Sequence, residues 1–140
     1  MSEKEIEFVK VDSLKRILRN VNVIVKVVDV GEPRSITSRR DNSVHRVAEA
    51  LVGDETGCLL LTLWGDQVSA FNNGDVIEVR NGYTSLFRGF LRLKIGRRGT
   101  AEKVDRAIGE VNTENNLSKE RQESFWYRAA KRSFRRRRSY

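Results

Sequence analysis

Cysteine, histidine and proline are nearly absent from this 140-residue chain, which contains one of each. A single cysteine, Cys58, excludes a disulfide within the chain and any zinc site built from several cysteines. The single histidine, His45, leaves too few ligands for a transition-metal centre, so we expect no metal and no cofactor. We expect Cys58 and His45 to be structural residues, because neither has a base or a ligand partner near it in the sequence.

Long hydrophobic runs are also missing. The most apolar segments, such as Val21 to Val25 and Cys58 to Leu61, are far shorter than a membrane span. The segment from Met1 to Glu7 is charged and mostly acidic, which is unlike a signal or transit peptide. We therefore expect a soluble intracellular protein with no membrane partner.

Patterns typical of enzymes are missing as well. Asp54 and Glu55 are adjacent in a turn, so their carboxylates cannot flank a scissile bond. The Gly96 to Gly99 segment, which contains two arginines, lacks the further glycines and the lysine of a nucleotide-binding phosphate loop. We expect a protein that is not an enzyme, and we expect Gly96 to Gly99 to be a basic turn after the last strand.

Positive charge is what the chain has in excess. Lysine and arginine number 27 against 19 aspartate and glutamate, which gives a net charge of +8. Such an excess favours a polyanionic partner, with nucleic acid first and an anionic membrane surface second. The charge is uneven, because residues 1–111 carry 18 basic and 16 acidic side chains and residues 112–140 carry 9 and 3.

This asymmetry predicts a domain over 1–111 and a basic, aromatic tail over 112–140. Asn112 to Asn116 is polar and indicates a linker. Trp126, Ala130 and Phe134 recur every four residues, so we expect a tail that is disordered or that forms a basic amphipathic helix when it binds an anionic surface. We predict that five tail residues, one aromatic and four cationic, contact a nucleic acid or a protein partner: Trp126, Arg135, Arg136, Arg137 and Arg138. A solvated disordered tail and a membrane-surface helix are the alternatives.

The body contains five segments rich in β-branched and aromatic residues, separated by glycine-containing turns. The predicted strands are Val21 to Val30, Val44 to Val52, Cys58 to Trp64, Asp75 to Phe87 and Phe90 to Ile95. Short helices are predicted between Gly65 and Gly74 and from Asp12 or Ser13 to Arg19. The pattern is all-β and typical of a five-stranded OB-fold Greek-key barrel with a short helix between the third and fourth strands, an architecture that binds oligonucleotides. An SH3-like barrel is the alternative, although that fold usually lacks the helix.

Strand alternation separates core residues from surface residues. Leu59, Leu61 and Leu63 are predicted to point inward, which leaves Trp64 outside. By the same rule Leu91, Leu93 and Ile95 are predicted to point inward, and Tyr83 shares one row of its hairpin with Phe87. Exposed rings beside cations suit a single strand, because bases stack on rings while cations follow the phosphates. The predicted binding residues are Trp64, Tyr83, Phe87, Arg88, Phe90, Arg92 and Lys94. The alternative is that the rings only close the ends of the barrel.

Arg39, Arg40 and His45 lie in or beside the loop between the first two predicted strands. In OB folds this loop often borders the ligand groove, so these residues are candidates for phosphate contacts. The alternative is an ordinary solvated loop.

Three segments carry a resemblance to a known family: Val52 to Gly57, Leu61 to Gly65 and Tyr83 to Gly89. In this order and spacing they resemble the simple single-OB single-stranded DNA-binding proteins of archaea and their eukaryotic relatives, which are related to replication protein A. The resemblance covers roughly Asp12 to Asp105. It implies that bases stack on Trp64, Tyr83 and Phe87.

The chain departs from that family in two places. Some relatives carry a further aromatic where this chain has Lys94, so a fourth stack is either absent or transferred to Phe90. Family tails are often flexible, glycine-rich or acidic segments that recruit proteins, whereas this tail is basic.

The first hypothesis for function is sequence-tolerant binding of single-stranded DNA, or of RNA, in replication, repair or recombination. It places the protein in the cytoplasm with the nucleoid. One alternative is a ribonucleoprotein component that is anchored to structured RNA, such as ribosomal RNA, by its basic tail. Another is an adaptor that holds a replication or repair protein through Phe125 to Tyr127 while the barrel holds DNA.

Overall fold

The computed structural model describes residues 7–119, which form a β-barrel with very little helix. The elements are β1 (Val21–Val30), β2 (Arg34–Thr37), β3 (Val44–Asp54), β4 (Gly57–Trp64), α1 (Gln67–Ala70), β5 (Val76–Phe87) and β6 (Phe90–Lys103). None of the helical segments in this range has the length and hydropathy of a membrane span.

Strand pairing closes the barrel. The sheet order is β1-β5-β6-β4-β3-β2, and β3 also pairs with β1. All neighbours are antiparallel except β4 and β6, which run parallel from Leu60 opposite Arg92 to Thr62 opposite Lys94. The five strands other than β2 therefore form a closed barrel, with α1 between β4 and β5. The predicted OB fold, with its short helix between the third and fourth barrel strands, is confirmed.

The core fills the barrel with alternate side chains of each strand. Leu59, Leu61 and Leu63 of β4 are fully buried, as are Leu91 and Leu93 of β6. These residues point inward as predicted, because a strand places every second side chain on the same side. Burial of so many branched apolar side chains is the main source of stability in a domain of this size.

Two predictions about the strands are wrong. Residues 34–37 were expected to belong to a loop, but they form β2, which pairs with β3 from Arg34 opposite Val47 to Thr37 opposite Val44. Gly96 to Gly99 is not a turn but continues β6, which pairs with β5 as far as Ile77 opposite Lys103. Gly99 is required there, because a Cβ at this position would lie 2.9 Å from the Asn81 carbonyl oxygen.

The predicted helix from Asp12 or Ser13 to Arg19 is also wrong. Only a single 3-10 turn forms, at Val11–Ser13. The chain beyond it bonds to β5 instead: Leu18 N–H donates to the Thr84 hydroxyl at 2.7 Å, and that hydroxyl donates to the Arg16 carbonyl at 2.6 Å. These bonds to a buried threonine replace the hydrogen bonds that a helix would have made.

Residues 112–119 pack on the barrel, and we call them the C-terminal strap. Cys58 N–H donates to the Asn115 carbonyl at 2.9 Å, and Leu117 N–H donates to the Cys58 carbonyl at 2.8 Å. The Ser118 hydroxyl accepts a bond from Leu60 N–H at 2.8 Å and donates to the Leu91 carbonyl. Ser118 thus bridges β4 and β6 next to their short parallel pairing. The predicted linker at Asn112 to Asn116 is therefore wrong, while the rest of the tail lies outside the described residues.

Candidate nucleic-acid interface

Three large aromatic side chains project from the outer side of β4 and β5. Trp64 is 42% exposed, Tyr83 is 37% exposed and Phe87 is 41% exposed. Tyr83 pairs with Lys94, and Lys94 pairs with Thr62, which is two residues before Trp64 on β4. Directly paired residues and residues two apart on a strand share a side of the sheet, so the three rings lie on one surface, which we call the aromatic face.

The three rings are well separated along and across the aromatic face. Tyr83 and Phe87 are four residues apart on β5, which corresponds to about 13 Å along the strand. Trp64 is on β4, two strands from β5, which corresponds to about 10 Å across the sheet. Each ring has an exposed surface on which a base of any identity stacks, because every base has a π-face.

A tight turn holds Phe87 at the end of β5. Arg88 and Gly89 have φ values of +54° and +89°, and Phe87 pairs directly with Phe90 across them. Two successive positive φ values form the type I′ turn that suits a two-residue hairpin. The glycine-containing turn predicted between the strands that end at Phe87 and begin at Phe90 is confirmed. Phe90 is half-buried, whereas Arg88 is exposed with its Cζ 5.4 Å from the centroid of the Phe87 ring.

The cation Arg92 lies on the aromatic face but is already paired. Its Nε donates to Glu49 Oε2 at 2.5 Å, and its Nη1 donates to the Leu91 carbonyl at 3.1 Å. The guanidinium carbon is 5.8 Å from the centroid of Phe87. Only 11% of the Arg92 side chain is exposed. We infer that Arg92 positions the Phe87 ring, and the phosphate contact that the sequence predicts for it stays a prediction.

Lys94 occupies the middle of the aromatic face. It is half-buried, between Tyr83 on β5 and Thr62 on β4. Within residues 7–119 it makes no ion pair. Unlike the guanidinium of Arg92, its ammonium is therefore not committed to a carboxylate within this range.

The β2–β3 hairpin borders the face next to Trp64. The His45 ring meets the Trp64 ring edge-on, with centroids 6.5 Å apart and an interplanar angle of 78°. His45 Nε2 also lies 2.7 Å from the Ser43 hydroxyl. Ile36 on β2 pairs with His45 and is partly exposed. The sequence patterns did not identify Ile36 as a surface residue beside Trp64. The one signal in the sequence was a single isoleucine within an otherwise polar segment.

Arg39 and Arg40 lie in the turn that joins β2 and β3, and both are exposed. Ser38 N–H donates to the Ser43 carbonyl at 2.8 Å and closes this turn. The two arginines are thus at the tip of the hairpin that carries His45, beyond the edge of the aromatic face. Their predicted phosphate contact stays a prediction, and so do the contacts of Trp126 and Arg135 to Arg138, which lie outside the described residues.

Cys58 is fully buried, and burial raises the pKa of its thiol. A thiol in this environment stays protonated and is a poor nucleophile or metal ligand. Among residues 7–119, no group of three or more histidine, cysteine, aspartate or glutamate side chains is arranged to hold a metal ion.

Comparison with known proteins relates this geometry to a family. The family model described as single-stranded DNA binding protein Ssb-like, OB fold, matches residues 14–103. The single-stranded DNA binding protein Ssb of Saccharolobus solfataricus is 40% identical over 87 residues, which are 62% of this chain and 57% of that protein. The match thus spans little more than half of that relative. An uncharacterized protein of Arabidopsis thaliana is 34% identical over 119 residues, covering 79% of this chain and 78% of that protein.

Solved structures agree with these matches. The solution structure of a hypothetical protein from Arabidopsis thaliana gives a TM-score of 0.68 at 33% identity, covering 85% of this chain and 88% of that one. A replication protein A heterotrimer bound to single-stranded DNA gives a TM-score of 0.61 at 23% identity, covering 73% of this chain and 25% of that one, which shows a shared fold. The resemblance drawn from the three sequence motifs is confirmed: the chain belongs to the Ssb-like family of OB-fold single-stranded DNA-binding proteins.

Proposed function

We propose that this protein binds single-stranded DNA, with little dependence on sequence, by stacking bases on Trp64, Tyr83 and Phe87. The observation that carries the proposal is the aromatic face itself, where three partly exposed rings share one surface of an OB barrel. The family named above and its Saccharolobus member, a single-stranded DNA binding protein, support it. Duplex DNA hides its base faces, so a surface of this kind favours single strands.

The cations have distinct roles in this proposal. Lys94 contacts phosphate between the stacked bases, and Arg88 contacts phosphate at the Phe87 end of the face. Arg92 keeps the Phe87 ring in place through its bond to Glu49. Phe90, which is paired with Phe87, supports that ring from β6. These groups bind a nucleic acid without transforming it, so we infer a binding protein rather than an enzyme.

The biological setting follows from the ligand. Single-stranded DNA is exposed during replication, repair and recombination, and we place the protein in these processes. RNA presents the same base faces, and a contact to the 2′-hydroxyl is what would distinguish it. Binding of oligo-U with the affinity of oligo-dT would extend the proposal to RNA.

The test is the affinity of ring variants for a labelled oligo-dT, measured by fluorescence anisotropy. Trp64→Ala, Tyr83→Ala and Phe87→Ala should each weaken binding by about 1–3 kcal/mol, the free energy of one stacked base. Phe8→Ala is the matched control, because Phe8 is 38% exposed but lies in a separate groove with Ile24. Its affinity should be unchanged.

Direct contact at Trp64 has its own readout. The chain contains two tryptophans, Trp64 and Trp126, so a Trp126→Phe background leaves Trp64 as the sole indole fluorophore. Oligo-dT should quench its emission, and a duplex at the same concentration should quench it far less. Unchanged affinity in all three ring variants, together with unquenched Trp64, would overturn the proposal.

A further inference from the structure

A groove of about 470 Å³ lies beside Tyr83, between β5 and the segment that precedes β1. Its walls are the segment 17–20 before β1 on one side and Asn81 to Ser85 of β5 on the other, with Gly96 and Arg98 of β6. We propose that this groove holds the nucleotide next to the one stacked on Tyr83, with Arg19 and Arg98 contacting its phosphates. This inference rests on the proposed function and extends the path of the strand beyond the aromatic face.

The groove is preformed by hydrogen bonds between its walls. Thr84 N–H donates to the Leu18 carbonyl at 3.0 Å, in addition to the two bonds made by the Thr84 hydroxyl. At the other end, Asn81 N–H donates to Asn22 Oδ1 at 2.8 Å. Because both ends are fixed, a ligand would not have to order this segment on binding, which lowers the cost of association.

The surface of the groove suits a base. The Tyr83 ring lies directly over Gly96, where a Cβ would come within 3.3 Å of ring carbon Cε1. Ile17 is 53% exposed on the opposite wall. An exposed aliphatic side chain and an aromatic ring on facing walls provide apolar contact for a base, and they do so whatever the base is.

The polar groups of the groove suit a nucleotide. Within residues 7–119, neither Arg19 nor Arg98 takes part in an ion pair. Asn20 and Asn81 have φ of +54° each, so both amides stand at sharp bends of the walls. Asn81 Nδ2 donates to the Arg98 carbonyl at 3.5 Å, which leaves its Oδ1 able to accept a bond from a base. The groove thus joins apolar walls to two cations and continues the aromatic face.

Oligo-dT of increasing length separates this groove from the aromatic face. OB folds bind about 4–16 nucleotides, so the series should run from about 3 to about 12. Arg98→Ala and Arg19→Ala should weaken binding of the long oligonucleotides by about three- to tenfold and leave the shortest unaffected. Each variant should also lower the slope of log affinity against log salt by about 0.7, the value for one phosphate contact on a single strand.

Arg106→Ala is the matched control, since it removes the same charge from a different groove, beside Phe8 and Lys10. It should keep parental affinity at every length. If the Arg98 and Arg19 variants match Arg106→Ala at all lengths while the Trp64 and Phe87 variants bind weakly, the groove is excluded and the aromatic face stands. If the Trp64 and Phe87 variants also bind normally, the proposed function itself fails.

Discussion

Arg92 and Lys94 are two residues apart on β6 and face the same side, yet only Arg92 has a carboxylate partner among the described residues, Glu49. Both members of the pair are mostly buried, and removal of Arg92 leaves Glu49 with the longer ion pair to Arg34, at 4.0 Å. Arg92→Ala should therefore lower the free energy of unfolding by about 1–2 kcal/mol, measured by urea denaturation. Its effect on the salt dependence of binding should be small, because Glu49 already offsets the charge.

Lys94→Ala is the informative comparison for Arg92. It should leave stability nearly unchanged and lower the salt slope of oligo-dT binding by about 0.7. A double-mutant cycle between Arg92 and Glu49 measures their coupling. Strict additivity in that cycle, or an Arg92→Ala protein as stable as the parent, would show that the pair does not stabilise the fold.

At the scale of elements, the C-terminal strap carries the clearest prediction about stability. Leu117 is 4% exposed, and the Ser118 hydroxyl is the acceptor for Leu60 N–H. A chain that ends at Val111 loses both and should be less stable by at least about 3 kcal/mol, whereas a chain that ends at Lys119 should unfold like the full-length protein. Thermal or urea unfolding followed by far-ultraviolet circular dichroism makes the comparison.

Single substitutions refine this test of the strap. Leu117→Ala should cost about 2–5 kcal/mol through the cavity it leaves. Ser118→Ala should cost about 1–3 kcal/mol, because it leaves the Leu60 N–H without its acceptor. Equal stability of the chains ending at Val111 and at Lys119 would mean that the strap adds nothing to the barrel.

The barrel strands were predictable because their apolar residues alternate over long stretches, as in Leu59, Leu61 and Leu63. The same alternation predicted which side Trp64, Tyr83 and Phe87 would face. The sequence did not predict β2, because Ile36 is the sole large apolar residue of that strand. The position of β2 is set by its antiparallel pairing with β3.

Other features were hidden because they depend on contacts between residues that are distant in sequence. The Arg92 bond to Glu49 spans 43 positions, and the Leu18 bond to Thr84 spans 66. The strap is polar at its start, so composition alone predicted a linker, whereas its backbone pairs with Cys58. No local pattern encodes such partners, which are brought together only when the barrel closes.

At the scale of the whole molecule, charge is concentrated beyond the strap. Residues 120–140 carry 8 basic and 2 acidic side chains, so a cut after Lys119 lowers the net charge from +8 to +2. If the tail contacts phosphates as its sequence predicts, the shortened chain should bind oligo-dT more weakly. The slope of its log affinity against log salt should also be smaller, by about 0.7 for each phosphate that the tail no longer neutralises. It should keep its preference for single strands over duplex, because the three rings remain.

A full-length variant with Arg135 to Arg138 replaced by serine is the control for chain length, and it should reproduce most of the change in slope. If the slope of log affinity against log salt is the same for the full chain, for this variant and for the chain ending at Lys119, the tail has no role in binding. The opposite extreme is equally informative. If the chain ending at Lys119 fails to bind oligo-dT while the full chain binds single strands and duplex alike, the tail is the anchor, and a ribonucleoprotein role replaces single-strand binding by the barrel.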